Sequence, residues 1–174
     1  MNLRSYGTTI VSIRSSAINI FYLDSDPVLC AQYHNNSHTC KMILEYSQLL
    51  STAHHVLDTH PVIECYKPTH INHPSAVWVR QSNNNYNWLH CLLTELCKEY
   101  TYRYFKHHKV ERDGLLKRLQ QTPVNIPVGY KTQPTQAMPD AYKCDDSIEA
   151  YRNYYKAGKS HLAKWSRRQQ PEWF

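Results

Sequence analysis

Met42, Tyr46, Leu49, Leu50, Ala53, Val56 and Leu57 recur at helical spacing, and this run constrains the fold more than any other feature of the chain. Such spacing gathers the side chains on one face of an α-helix, and that face must be buried against another element. Asn35, Asn36 and Ser37 precede the run and supply side-chain oxygens for the free N–H groups of a helix start. Beside the apolar face His38, Lys41, Glu45, Gln48, Thr52 and His55 step by three and four, so one stripe of the helix is hydrogen-bonding along its length.

Four further helices are expected. Pro74 suits the first turn of a helix carrying Val77, Trp78 and Arg80, because its missing N–H costs nothing there. Asn83, Asn84 and Asn85 predict a pause, since asparagine competes for backbone hydrogen bonds. A helix then resumes through Trp88, Leu89, Leu92, Leu93, Leu96 and Tyr100, with Glu99 and Arg103 one turn apart for an ion pair. Leu115, Leu116 and Leu119 predict a helix over 110–121, and Asp145, Asp146 and Ser147 open a last one over 148–165. Residues 18–23 (INIFYL) form an apolar run too short for periodicity to separate a strand from a buried lead-in. Four prolines in 123–139 predict an extended surface loop, long enough to be a lid or a binding loop. The expected fold is mainly α: a single-domain helical bundle of about five helices with a long proline-rich loop, spanning 18–174 and preceded by a flexible N-terminal extension, 1–17.

A chain of 174 residues can bury a core without staples. Its six cysteines include no Cys-x-x-Cys, and no secretory apolar segment precedes them, which predicts reduced thiols in a cytoplasmic protein. No eighteen apolar residues run together, so no membrane-spanning helix is expected. Lys and Arg number 20 against 14 Asp and Glu, a balance that favours anionic partners such as DNA or a nucleotide.

Three constellations carry candidate chemistry. On the first helix, Glu45 and His38 are candidate acid–base groups, Lys41 is a candidate amine nucleophile, and His34 precedes them by one turn. In 67–88, His70, Asn72 and His73 precede the helix start at Pro74, where free N–H groups favour an anion. Lys67 and Arg80 are placed to complete a phosphate cradle, Tyr86 to stack on a base, and Asn84 to read a base edge. Between Glu149 and Glu172 there is no acid, while Arg152, Lys156, Lys159, Lys164, Arg167 and Arg168 give six fixed positive charges that suit backbone phosphates. A metal is the rival to the first constellation, with His34, His38, Glu45, His54, His70 and His73 as possible ligands, although no His-Glu-x-x-His accompanies them. No metal or other cofactor is expected.

The stretches HNNSHTCKMILEYSQLLSTAH (34–54), KPTHINHPSAVWVRQSNNNYNWL (67–89), EYTYRY (99–104), AMPDAYK (137–143) and the ending PEWF together resemble a family of small, mostly uncharacterised bacteriophage proteins. In that family the first motif usually reads His-Cys-Asp-Lys-His, whereas here Asn35, Asn36 and Ser37 separate His34 from His38. Members are sometimes labelled similar to pyrimidine-dimer DNA glycosylases. The resemblance implies a helical protein that starts near Ile18 and uses an amino-terminal amine as nucleophile and a glutamate as the acid–base group. The expected function is therefore that of a phage-type, DNA-directed protein acting on or recognising a nucleobase, as an N-glycosylase or lyase. Two alternatives stand beside it: a metal-dependent nucleotide or phosphoester hydrolase built on His34, His38, His70 and His73, and a non-catalytic protein that grips nucleic acid or a host protein.

Overall fold

The computed structural model describes residues 18–174; the expected extension 1–17 lies outside the described residues. Seven α-helices and no β-strand occur among the described residues: α1 (Pro27–Tyr33), α2 (Asn36–Leu57), α3 (Pro74–Arg80), α4 (Asn83–Tyr104), α5 (Lys109–Arg112), α6 (Leu115–Arg118) and α7 (Ser147–Asn153). The protein is mainly helical, as the apolar spacing predicts.

The helix α2 starts where the asparagines place it, with the Asn35 side chain accepting from the His38 N–H at 2.9 Å. Its apolar face buries Met42, Tyr46, Leu49, Leu50 and Ala53, and α4 answers with Leu89, Leu92, Leu93 and Leu96. Each leucine or methionine among them contributes about 1.5–3 kcal/mol on full burial. The two long helices run antiparallel. His54 near the end of α2 meets Tyr86 near the start of α4 at 3.0 Å, and Arg103 near the end of α4 donates to Asn36 Oδ1 at 3.2 Å. On its other side α4 packs against α1, while α3 packs on α2. Residues 18–23 form a buried extended lead-in rather than a strand, with the Phe21 N–H donating to the Tyr46 hydroxyl at 3.2 Å.

Three elements differ from expectation. The break between α3 and α4 falls at Gln81 and Ser82, and α4 begins at Asn83, because Ser82 caps it by accepting from the Asn85 N–H at 3.1 Å. The expected helix over 110–121 is split into α5 and α6 by Gly114, which stands in the left-handed region at φ 75° and ends the α5 turn. The expected helix over 148–165 stops at Asn153. It continues as a widened π turn (Tyr154–Gly158) and a short 3-10 turn (Ser160–Leu162). A Cβ on Gly158 would come within 2.6 Å of the Tyr154 ring, so only glycine lets the chain fold back this closely.

The proline-rich loop crosses the surface as expected and is held along one edge by the asparagine trio. Asn83 Oδ1 accepts from the Gly129 N–H at 3.0 Å, Asn84 Nδ2 donates to the Gly129 carbonyl at 2.6 Å, and Asn85 Oδ1 accepts from the Thr132 N–H at 2.9 Å. Where the loop begins, buried Asp58 accepts from the N–H groups of Val124 and Asn125 at 3.0 Å each. No described helix is long and apolar enough to cross a membrane.

Candidate functional site

The polar stripe of α2 divides into three parts with different neighbours. At its start, His34 and His38 turn into the core. The His34 ring is fully buried between the Cys30 carbonyl, 2.7 Å from Nδ1, and the Tyr46 hydroxyl, 2.8 Å from Nε2. A carbonyl only accepts, so Nδ1 carries the proton and Nε2 accepts from Tyr46. Burial, opposed by the Cys30 carbonyl, lowers its pKa to about 4, so the ring is neutral at pH 7. His38 stacks on Phe21 with ring centroids 4.1 Å apart, and its Nδ1 lies 2.6 Å from the Tyr155 hydroxyl; burial holds it well below the ordinary imidazole value. His34, expected in a catalytic role, is thus a core residue whose two ring nitrogens are both engaged.

At its far end the stripe docks the loop that follows α2. Ser51 Oγ accepts from the Tyr66 N–H at 3.3 Å, Thr52 Oγ1 exchanges hydrogen bonds with the Thr69 backbone, and the His55 ring donates to the Tyr66 carbonyl at 2.9 Å. A polar stripe is needed here because the loop it receives presents backbone groups rather than apolar side chains.

The middle of the stripe holds Lys41 and Glu45. Lys41 Nζ lies 3.2 Å from Glu45 Oε1; the lysine is exposed, whereas Glu45 is only 9% exposed and its Oε2 is buried without a hydrogen-bond partner. Burial pushes the Glu45 carboxyl above its ordinary value, while Lys41, the Asn19 backbone and the His70 charge act against that rise. A buried acid whose side-chain partner is an accessible amine can receive and return a proton.

Lys41 also lines a groove of about 690 Å³, together with Gln48, Lys67, Thr69, His108 and Lys109. The docked loop carries Lys67 to this wall, and α5, packed against α2, carries Lys109. Two residues expected from separate motifs, Lys41 and Lys67, therefore meet. His108 and Lys109 were not expected, although the run Lys106, His107, His108, Lys109 behind an aromatic residue is a basic signal in itself.

The rest of the 67–88 motif is placed differently. His70 is exposed in a left-handed conformation at φ 49°, near enough to Glu45 and His73 to act on both through its charge. His73 caps α3, its Nδ1 accepting from the Ser75 N–H at 3.1 Å, so the expected anion seat is partly filled by the imidazole. Asn72 is exposed, and Arg80 donates to the Ile71 carbonyl at 2.7 Å, bracing the loop. Asn84 spends its amide on Gly129, and Tyr86 is fully buried, donating to the Leu119 carbonyl at 2.8 Å. Stacking by Tyr86 has no open surface here, whereas Asn84 is exposed and has its Nδ2 engaged by the loop.

The six cations of the tail do not share one helix face. Arg152 pairs with Asp24 at 3.1 Å and packs beneath Trp173, while Arg168 donates to both Glu99 oxygens, at 3.0 and 2.9 Å. Distant acids thus compensate what looks acid-free along the chain. Arg152, Arg167 and Arg168 line one cavity of about 770 Å³ beside Tyr33 and Trp173. Lys159 lies over the Tyr154 ring, and Lys156 and Lys164 are exposed.

No group of three or more His, Cys, Asp or Glu side chains among the described residues is arranged to hold a metal. For His34 the reason is its committed nitrogens, and for His73 its helix cap. No family model, no curated protein and no solved structure matches this chain.

Proposed function

We propose that the protein is a DNA-directed enzyme of the glycosylase/lyase type, with Lys41 as the attacking amine and Glu45 as the proton-handling group. The observation that carries this reading is Lys41, which lines a groove bearing two further lysines, Lys67 and Lys109, and is paired from behind with the buried Glu45. Those lysines suit the phosphates on either side of a target nucleotide, since phosphate contacts supply most of the non-specific affinity for DNA. The motif resemblance to phage proteins likened to pyrimidine-dimer glycosylases points the same way.

At an abasic site the chemistry runs as follows. Glu45 takes a proton from the Lys41 ammonium, and the free amine adds to C1′ of the ring-opened sugar. Glu45 returns the proton to the departing hydroxyl, water leaves, and a protonated imine joins Lys41 to the sugar. Glu45, ionised again, takes a C2′ proton, and as the C2′–C3′ double bond forms the C3′–O bond breaks, which expels the 3′ phosphate and cuts the strand. The raised Glu45 carboxyl fits this shuttle, because a carboxyl with a pKa nearer neutrality both accepts and releases a proton more readily.

The test is cleavage of an oligonucleotide containing one abasic site, both single-stranded and in a duplex, by the parent chain and by Lys41→Ala and Glu45→Gln. Cleavage by the parent, lost by about a hundredfold or more in both variants, is expected. Salt-dependent binding of the duplex without cleavage would leave a nucleic-acid-binding protein and remove the catalytic assignment.

A further inference from the structure

The helix α4 ends on Phe105, which closes it in the left-handed region at φ 58°. Glycine or asparagine usually fills that position, because a bulky side chain there is strained. The strain brings little burial in return: Phe105 is 77% exposed. One face of the ring is occupied by the Arg167 guanidinium, 4.5 Å from the centroid, and the same guanidinium lies 4.2 Å from the Tyr102 ring centre. Arg167 is also left-handed, at φ 60°. The two segments lock each other: the Tyr102 hydroxyl donates to the Arg167 carbonyl at 3.1 Å, and the Arg167 guanidinium donates to the Tyr102 carbonyl. The result is an aromatic ring held out into solvent with a cation fixed behind it.

The surroundings are basic. Lys106, His107, His108 and Lys109 follow Phe105 directly, and the last two line the groove that Lys41 and Lys67 share. His107 faces Glu111 at 3.2 Å and Lys109 reaches Asp113 at 4.0 Å, whereas Lys106 makes no ion pair among the described residues. Tyr104 ties the two regions together, its hydroxyl donating to the Asn36 carbonyl at 3.4 Å while the Asn36 N–H donates to the Lys164 carbonyl at 2.8 Å.

We propose that Phe105 is a stacking platform for an unpaired nucleobase, so that the strand entering the groove is single-stranded DNA, with Arg167 on the far face of the ring and Lys106 at the phosphate. A guanidinium behind the ring holds it in place, and an exposed aromatic face accepts any base. Bases inside a duplex are already stacked and offer no free face, so unpaired nucleotides are preferred. The positive flanks favour a nucleic acid over a protein partner, which would find few acids to pair with. This inference rests on the groove being a nucleic-acid site, but not on the Lys41 chemistry.

The experiment is fluorescence anisotropy of a labelled oligothymidylate of about 12 nucleotides, titrated with the full chain and with Phe105→Gly and Phe105→Trp. Glycine suits the left-handed cap, so Phe105→Gly keeps the melting temperature at or above that of the parent. It is expected to weaken oligonucleotide binding by about tenfold or more, with the salt dependence unchanged because the phosphate contacts remain. Phe105→Trp is expected to bind at least as tightly as the parent. Equal affinity of Phe105→Gly and the parent, or no oligonucleotide binding by the parent, overturns the platform. Abasic-site cleavage that persists alongside either result leaves the proposed chemistry standing. Phe105-dependent binding without cleavage upholds the platform and removes the chemistry instead.

Discussion

Lys41 Nζ lies 3.2 Å from Glu45 Oε1, and the two partners sit in different media: the ammonium in solvent, the carboxylate against the core with its second oxygen unpaired. Exposed i, i+4 pairs of this kind are usually worth a few tenths of a kcal/mol and serve only the helix. The buried side of this one makes it a candidate for proton transfer.

Neutralising Glu45 separates activity from stability. An exposed lysine compensates a buried carboxylate only partly, so Glu45→Gln is expected to keep stability at pH 7 or raise it by up to about 1 kcal/mol. Abasic-site cleavage is expected to vanish. Urea unfolding and a cleavage assay on the same preparation check both; a strongly destabilised variant would mean that the carboxylate is structural.

The acid limb of activity follows from the same burial. The Glu45 carboxyl stands above its ordinary value of 4.5 in the folded chain. Cleavage that needs the ionised form therefore falls off as pH drops through this raised value, and a pH–rate profile is expected to bend above 4.5 rather than below it.

Stability is expected to decline in a different window because of His34. Its folded pKa is about 4 against 6.5 for the free imidazole, set first by burial, with the Cys30 carbonyl and Glu99 opposing and Arg103 assisting. A base with a lowered folded pKa contributes stability that is complete above pH 6.5 and lost as pH falls toward 4, about 3 kcal/mol in all. Denaturant midpoints across pH 7 to 4 measure the loss, and the ¹⁵N shifts of the imidazole are expected to report a neutral ring with the proton on Nδ1 at pH 6.

Glu99 anchors the tail to the bundle. It accepts from Arg103 Nε at 2.8 Å, where the Arg103 side chain is wholly buried, and from Arg168 at 2.9 Å. Burial alone would raise its pKa, but the hydrogen bonds from Arg168 and Arg103 win and hold it below the ordinary value. Glu99→Ala leaves a buried guanidinium without its counter-charge and is expected to cost about 3–5 kcal/mol. A thermal melt checks this, with Glu95→Ala, whose partner Lys98 is exposed, as the near-neutral control.

What was legible in the sequence follows from the range of the interactions involved. Local periodicity marks α2 and most of α4, and i, i+4 spacing marks both Lys41–Glu45 and Glu99–Arg103. The split at Gly114 depends on one backbone angle and the tail turn on a close approach of Gly158 to Tyr154, neither of which periodicity registers. Asn84 suggests base recognition because its amide is versatile, and only contact with a carbonyl 45 residues away shows that it clasps a loop. His34 and Tyr86 mislead for a related reason: a polar aromatic side chain with all its hydrogen bonds inside the core has the same letter as one facing a ligand. The groove needs α5 folded against α2 to bring Lys109 opposite Lys41 and Lys67.

Lys41 is expected to form the covalent link to DNA, and mapping that link identifies the attacking amine. The full chain is incubated with an oligonucleotide bearing one abasic site, the imine is reduced with borohydride, and the digested adduct is located by mass spectrometry. A sugar-derived mass is expected on the peptide containing Lys41, and is expected to be absent in Lys41→Ala. An adduct on another amine, or none at all from a chain that binds the same DNA, would contradict the assignment of Lys41.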